Sequence, residues 1–261
     1  MMFEYFSITD PGLIRDNNED SVAFDPLNQV VVLADGMGGY NAGEIASAMA
    51  TTFIKTELGR WMAEGGHESN GRELKRAMEI CIDNANRSIF NAANANPQYT
   101  GMGTTLVMGV FQGPRAMIGH VGDSRCYRLR EDKLVQITRD HSLLQEQIDA
   151  GLISAEQAKF ATHKNLVTRA LGVEDTVLLE VNEYRADDGD LYVFCSDGLS
   201  DMVDDDQIAA ILGRDGTLEE KSQALVDAAI DGGGRDNISV ILAQARAKPV
   251  RKGLLSRMLG Q

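Results

Sequence analysis

Three short strand-like runs open the chain, at Phe3–Ile8, Ser21–Phe24 and Gln29–Ala34. The third is continuously apolar, the pattern of a strand covered on both faces, and it ends in Asp35 and Gly36. The period then changes. Ile45, Met49, Phe53, Leu58 and Trp61 recur at near-helical spacing and predict the buried face of one helix. Leu74, Met78, Ile82, Ala85 and Ile89 do the same for a second, with Asn70 and Glu73 at capping-box spacing ahead of it. Strand runs return at Thr104–Val110, Ala116–Val121, Arg125–Leu129 and Leu134–Ile137. Short helices are predicted from Asp140 to about Ala170, where Ser154 and Gln157 repeat the capping spacing. Strands follow at Val177–Tyr184 and Leu191–Cys195, then a polar helix near Asp205 and another from Thr217, with Glu220 as its capping partner. Ile238–Ala243 is the last strand. Strands at both ends of the chain, with helices between, imply an α+β layered domain. Polar clusters beside the first and last strands bring the two ends of the chain to one site.

Composition narrows the picture. The chain has 261 residues, enough for one large domain or two smaller ones, and 43% apolar with 25% charged residues is ordinary globular content. A net charge of −14 argues against a general nucleic-acid binder, since phosphate backbones need Lys and Arg to displace counterions. No apolar run approaches the ~20 residues of a membrane span, and the N-terminus lacks the basic and apolar regions of a secretory signal. Cys81, Cys126 and Cys195 are odd in number and widely spaced, which suits neither a disulfide framework nor a zinc site. A cytoplasmic protein is expected. Charge is uneven: residues 246–261 hold five basic residues and no acid, leaving −19 on the remainder. Val250, Leu254 and Met258 recur every four residues there, so a short helix would be apolar on one side with basic flanks, suited to an anionic membrane or an acidic partner.

Candidate chemistry lies where acids meet strands. Asp35 and Asp197 each end an apolar strand and precede a glycine. Arg15, Glu19 and Asp20 stand just before the second strand, and Asp236 just before the last. Two bare carboxylates 4 Å apart repel by about 1 kcal/mol in water and about 4 kcal/mol at an effective dielectric of 20. Several converging on one place therefore call for a cation, and an all-oxygen set selects Mg²⁺ or Mn²⁺.

These residues also carry a resemblance. TDPGLIRDNNED (Thr9–Asp20), VVLADGMGG (Val31–Gly39) with the following GEIAS, GTTL (Gly103–Leu106), HVGDSR (His120–Arg125), TRDHS (Thr138–Ser142), NLVTRALG (Asn165–Gly172), FCSDGLSD (Phe194–Asp201) and GGGRDNISV (Gly232–Val240) occur in order. Together they resemble the metal-dependent Ser/Thr protein phosphatases of type 2C, in their compact bacterial branch. The resemblance implies a four-layer α+β sandwich, two antiparallel sheets face to face and flanked by helix pairs. It implies a catalytic domain over 1–245 with a helical flap at about 140–170, and leaves 246–261 as a basic tail. Asp35 would bridge two metals, with the Gly36 carbonyl on the second. Asp197 and Asp236 would hold the first metal. Asp20, and Glu19 through water, would support the second, and Asn237 would back these ligands. Arg15 would grip the substrate phosphate, for which a guanidinium fork is well shaped. Asp123 matches the position that holds a weaker third metal.

The implied activity is hydrolysis of phosphoserine and phosphothreonine in proteins by a water activated between two Mg²⁺ or Mn²⁺ ions, opposing a bacterial Hanks-type Ser/Thr kinase, by a monomer. A phosphoprotein-binding pseudophosphatase and a small-metabolite phosphatase are the rivals; retention of Asp35, Asp197, Asp236 and Arg15 speaks against the first. Tyr40 stands where several bacterial members carry a histidine, and with a reference pKa near 10 it is a weaker candidate for proton donor than metal-bound water. Cys195 reads as a buried thiol, and His120 and His141 as structural hydrogen bonders. Arg169 is a phosphate contact or an ion-pair partner, and His163 lies within the flap.

Overall fold

The computed structural model describes residues 1–39, 42–158 and 166–247. Its strands are β1 (Met2–Asp10), β2 (Asp20–Asp25), β3 (Val30–Met37), β4 (Gly103–Thr104), β5 (Leu106–Gln112), β6 (Arg115–Val121), β7 (Arg125–Arg130), β8 (Lys133–Gln136), β9 (Glu180–Arg185), β10 (Leu191–Cys195) and β11 (Ile238–Arg246). The helices are α1 (Ala42–Ala63), α2 (Gly71–Ala95), α3 (Leu143–Asp149), α4 (Ala155–Ala158), α5 (Asp197–Ser200), α6 (Asp205–Leu212) and α7 (Leu218–Asp231). One sheet runs β1-β11-β10-β7-β8; the other runs β2-β3-β5-β6-β9, with β4 beside β3. Pairing between neighbours is antiparallel.

Three apolar layers hold the sandwich together. Phe3, Val31, Leu33, Phe111, Tyr192 and Phe194 fill the space between the sheets, with the rings of Phe3 and Phe111 4.0 Å apart. Helices α1 and α2 cover the β2–β9 sheet, and α6 and α7 cover the β1–β8 sheet. This is the expected four-layer arrangement. The first and last strands meet as expected too: β1 pairs with β11 from Met2 opposite Arg246 to Asp10 opposite Ile238.

The local signals of α2 hold. Leu74, Met78, Ile82, Ala85 and Ile89 are all buried, and Asn70 and Glu73 form the reciprocal capping box. Thr217 and Glu220 cap α7 in the same way. The face of α1 differs from expectation. Its buried stripe is Ala42, Ala46, Ala50, Ile54, Leu58 and Met62, while Ile45, Met49, Phe53 and Trp61 are only partly buried. Small side chains let the helix axis approach the sheet closely, and the larger ones fill the flank.

Strand boundaries also differ. β3 continues through Asp35 and Gly36 to Met37, because Gly36 and Met37 pair with Thr104 and Gly103. The predicted run at Thr104–Val110 is broken at Thr105, whose amide turns to donate to the Asp35 carbonyl at 2.8 Å. The last sequence-predicted strand before β10 starts at Glu180 rather than Val177.

Between β8 and β9 lies a helical insert containing α3 and α4. Ser154 and Gln157 make their capping pair there. Its two stems are joined: Leu143 N–H donates to Leu166 O at 2.9 Å and Thr168 N–H to His141 O at 2.8 Å. Tyr40, His163 and the tail from Lys248 onward lie outside the described residues. Arg246 is within them and pairs with Glu4 at 3.3 Å. Among the described residues no helix is long and apolar enough to cross a membrane.

Candidate active site

The sequence-predicted acids converge at one end of the seam between the sheets. Asp20 sits opposite Asp35 in the β2–β3 ladder. Asp197 leaves β10 as the first residue of α5, and Asp236 precedes β11. Ser196 stitches the sheets together at this point: its Oγ–H donates to Asp20 Oδ2 at 2.8 Å and its Oγ accepts from Ser239 N–H at 3.0 Å.

Electrostatics show how closely these groups sit. Burial holds the Asp20 carboxyl up at about 7. Burial, followed by the charges of Asp20, Asp197, Asp123 and Asp236, holds Asp35 well above the ordinary carboxylate range. Asp197 is raised in the same way by burial and then by Asp123, Asp201 and Asp236. Asp20 is 9% exposed, yet its Oδ1 is buried with no hydrogen-bond partner. A buried carboxylate oxygen with no hydrogen-bond donor, set among mutually repelling acids, suits a bound cation. The donors are all oxygen, so the set fits a hard divalent cation rather than zinc.

The glycines after the two strand-end acids are there for backbone approach. A Cβ on Gly36 would stand 2.2 Å from Gly43 O and 2.5 Å from Glu19 O. One on Gly198 would stand 2.0 Å from Asn237 O. Either would push apart the segments that bring the acids together. Asp35 is further fixed through its carbonyl, which accepts from Thr105 N–H and from Thr104 Oγ1–H, both at 2.8 Å.

Asn237 organises the loop that carries Arg15. Its Nδ2 donates to Pro11 O at 3.0 Å and Asn17 O at 2.9 Å, and its Oδ1 accepts from Glu19 N–H at 2.8 Å. The Glu19 carbonyl in turn accepts from Gly36 N–H at 3.1 Å and Ser47 Oγ–H at 2.6 Å. Arg15 donates to Asp236 Oδ2 at 2.6 Å, and that bond raises the guanidinium further. Its side chain is half exposed, so part of its donor fork faces solvent.

Asp123 lies nearby, buried, with burial and Asp140 holding it up at about 6. It and Asp197 line a cavity of about 840 Å³ that continues past Asp201 to Asp204, Asp205 and Asp206. Sequence reasoning did not single out Asp201, Ser196, Thr104 or Thr105. The first two flank Asp197 within FCSDGLSD, and the threonines lie within GTTL.

His120 and His141 are hydrogen-bonded and buried, and their rings stack at 4.5 Å. Glu180 joins them, a contact that no local pattern along the chain signals. Arg169 lies against His141, its Nη1 3.4 Å from the ring Nε2. Cys195 is fully buried, and burial pushes its thiol up to about 12, so it offers no thiolate nucleophile.

Comparison with known proteins agrees with this fold. The sequence profile of the family described as Protein phosphatase 2C matches residues 15–231. The serine/threonine protein phosphatase PstP of Mycobacterium tuberculosis is 36% identical over 98% of this chain; the chain spans about half of that relative's length, 49%. The serine/threonine phosphatase stp of Listeria monocytogenes is 38% identical over 90% of this chain and 93% of its own. The solved catalytic domain of PstP in complex with two manganese ions superposes with a TM-score of 0.82 at 35% identity, covering 94% of this chain and 99% of that one. By its matching motifs, its paired antiparallel sheets and these relatives, the chain belongs to the protein phosphatase 2C family.

Proposed function

We propose that the chain is a divalent-cation-dependent protein serine/threonine phosphatase whose centre is built on Asp35. The convergence of Asp20, Asp35, Asp197 and Asp236, with one buried carboxylate oxygen left unpaired, is the observation that carries this reading. In it Asp35 would serve both of two Mg²⁺ or Mn²⁺ ions. Asp197 and Asp236 would complete the set for one. Asp20 and the Gly36 carbonyl would hold the other, with Glu19 supporting it through water. Asp123 would anchor a third, weaker ion. Two such ions, when bound, acidify water and neutralise charge on the phosphoryl oxygens.

The chain's own residues do the rest. Arg15 presents its solvent-facing N–H groups to the substrate phosphate, while Asp236 fixes its far side at 2.6 Å. Asn237 holds the Arg15 loop and the Glu19 peptide through its side chain and donates its backbone N–H to Asp236 Oδ1 at 2.9 Å, so the phosphate grip and the carboxylate cluster are positioned by one residue. Phosphorylated proteins are the substrates and a cognate Ser/Thr kinase the opposing enzyme, in the cytoplasm and with the chain as a monomer. The segment at about 140–170 is a flap of the catalytic domain 1–245.

Protein stripped with EDTA should not hydrolyse phosphothreonine or phosphoserine peptides and should recover with Mn²⁺ or Mg²⁺. Phosphotyrosine peptides and sugar phosphates should turn over much more slowly. Full turnover in excess chelator would end the cation-dependent reading. Binding of phosphopeptide without turnover in Mn²⁺ would make the chain a pseudophosphatase, and a preference for sugar phosphates would make it a metabolite phosphatase. Arg15→Ala should raise KM for p-nitrophenyl phosphate more than it lowers cation affinity.

A further inference from the structure

Both stems of the helical insert and the turn that carries Asp123 meet at His141. Its backbone N–H donates to Gly122 O at 2.9 Å, and its carbonyl accepts from Thr168 N–H at 2.8 Å. Its ring Nδ1 accepts from Gly122 N–H at 3.2 Å. Gly122 is thus held on both its N–H and its C=O by one residue. That glycine has φ +102°, and a Cβ on it would stand 2.8 Å from the side chain of Thr105. No side chain of its own can anchor the turn, so the anchor has to come from elsewhere.

The hydrogen-bond pattern assigns the ring. Because Nδ1 accepts, the proton of the neutral imidazole is on Nε2. That nitrogen faces Glu180 Oε2 at 3.4 Å. Glu180 is itself steadied by Asn182 Nδ2–H, which donates to Oε1 at 3.1 Å. His120 stacks on the ring of His141 at 17° and uses its own Nε2–H on Arg139 O at 2.7 Å. His120, His141 and Glu180 have the composition of a cation site, their ligand atoms within 4.8 Å of one another. Both nitrogens of His141 and one of His120 are nevertheless engaged, and the Arg169 guanidinium is 3.4 Å away. The cluster is a clamp made of hydrogen bonds.

We infer that His141, oriented by Glu180, is a positioning residue that sets the Asp123 turn and ties it to both stems of the insert. Asp123 stands one residue beyond the clamped peptide and borders the 840 Å³ cavity together with Ser142 of the insert. Rotation of the Gly122 peptide would swing the Asp123 carboxylate away from Asp197. The two stems and this carboxylate therefore keep a fixed relation as long as the clamp is closed. The inference rests on the proposed role of Asp123 in a weaker cation site.

The test uses the full chain with His141→Ala, His141→Asn, Glu180→Ala and Glu180→Gln. Asn places an amide oxygen near the position of Nδ1 and can still accept from Gly122; Gln can still accept from His141. Amide hydrogen exchange at Gly122 reads the clamp, and Mn²⁺ calorimetry with kcat at saturating Mn²⁺ reads its effect on the site. His141→Ala should speed exchange at Gly122 and weaken the weaker Mn²⁺ class by about five- to tenfold, the loss expected for one hydrogen bond, with the tight Mn²⁺ class unchanged. His141→Asn should recover most of both, and Glu180→Gln should resemble wild type where Glu180→Ala does not. Unchanged exchange and unchanged weak binding in His141→Ala would overturn the inference. So would equal loss of both Mn²⁺ classes with no rescue by Asn, which is the mark of general destabilisation. A wild type with no weaker Mn²⁺ class would remove the role of Asp123 and the functional half of the inference, and the exchange rates would still decide the clamp.

Discussion

Asn237 offers a test of how the site is assembled that does not depend on catalysis. Its side chain is buried and makes three hydrogen bonds to the 11–19 loop: to Pro11 O, to Asn17 O and from Glu19 N–H. At about 1 kcal/mol each, replacing it with alanine removes about 3 kcal/mol, and water reaching the exposed Pro11 carbonyl returns part of that, leaving about 2 kcal/mol. Asn237→Asp is almost the same shape but should be worse. It keeps the acceptor for Glu19 N–H and turns the two donors into a carboxylate oxygen facing carbonyls at 3.0 and 2.9 Å. It also adds a charge beside Asp236 in a cluster already short of positive charge. Urea unfolding in EDTA should give the order wild type, Asn237→Ala, Asn237→Asp, with Asp the least stable. EDTA matters, because a bound cation would reward the new carboxylate. Kinetics on p-nitrophenyl phosphate should show KM raised more than kcat lowered in the alanine variant, since the Arg15 loop is what loosens. An Asp variant as stable as Ala, or more so, would refute the donor assignment and the idea that this side chain registers the loop.

Other outcomes follow from the same geometry. Asp35→Asn should leave almost no turnover while raising the stability of the cation-free protein, because it removes a carboxyl that burial and four neighbouring acids disfavour as a charge; unfolding curves in EDTA alongside an activity assay check both halves. Gly36→Ala should lose cation binding and stability together, since its Cβ would meet two backbone carbonyls at 2.2 and 2.5 Å, and wild-type Mn²⁺ binding by calorimetry would contradict that. The pH dependence has a definite sign. Asp123 is raised from 3.8 to about 6, so the stability this shift gives is full below about 4 and is lost as pH rises through about 6. The buried histidines His120 and His141 are both lowered and act oppositely. The measurement is therefore the difference between wild type and Asp123→Asn in EDTA, which should move against wild type by up to about 3 kcal/mol between pH 4 and pH 7; a difference independent of pH would show that Asp123 is not held in that environment.

Much of this protein was written locally in the chain. Val30 to Ala34 has the pattern of a covered strand, and the Asn70/Glu73 and Thr217/Glu220 pairs fix helix starts through bonds three residues apart. Acids at the ends of apolar strands, each followed by glycine, marked Asp35 and Asp197 before any neighbour was known. Other features depended on contacts that no local pattern encodes. The buried face of α1 was decided by the sheet, which accepts Ala46 and Ala50 at close range and leaves Ile45 and Met49 at the flank. β3 was prolonged through Asp35 by pairing with a segment almost 70 residues away. The clamp of Glu180, His141 and Gly122 joins three separate stretches, and the Asn237 bonds span more than 200 residues. Periodicity and capping are set by atoms a few bonds apart along the chain, so the sequence alone determines them. Which carboxylates share a charge deficit, and which peptides hold them there, is settled only when the two sheets close and exclude the water that would otherwise have screened one from another.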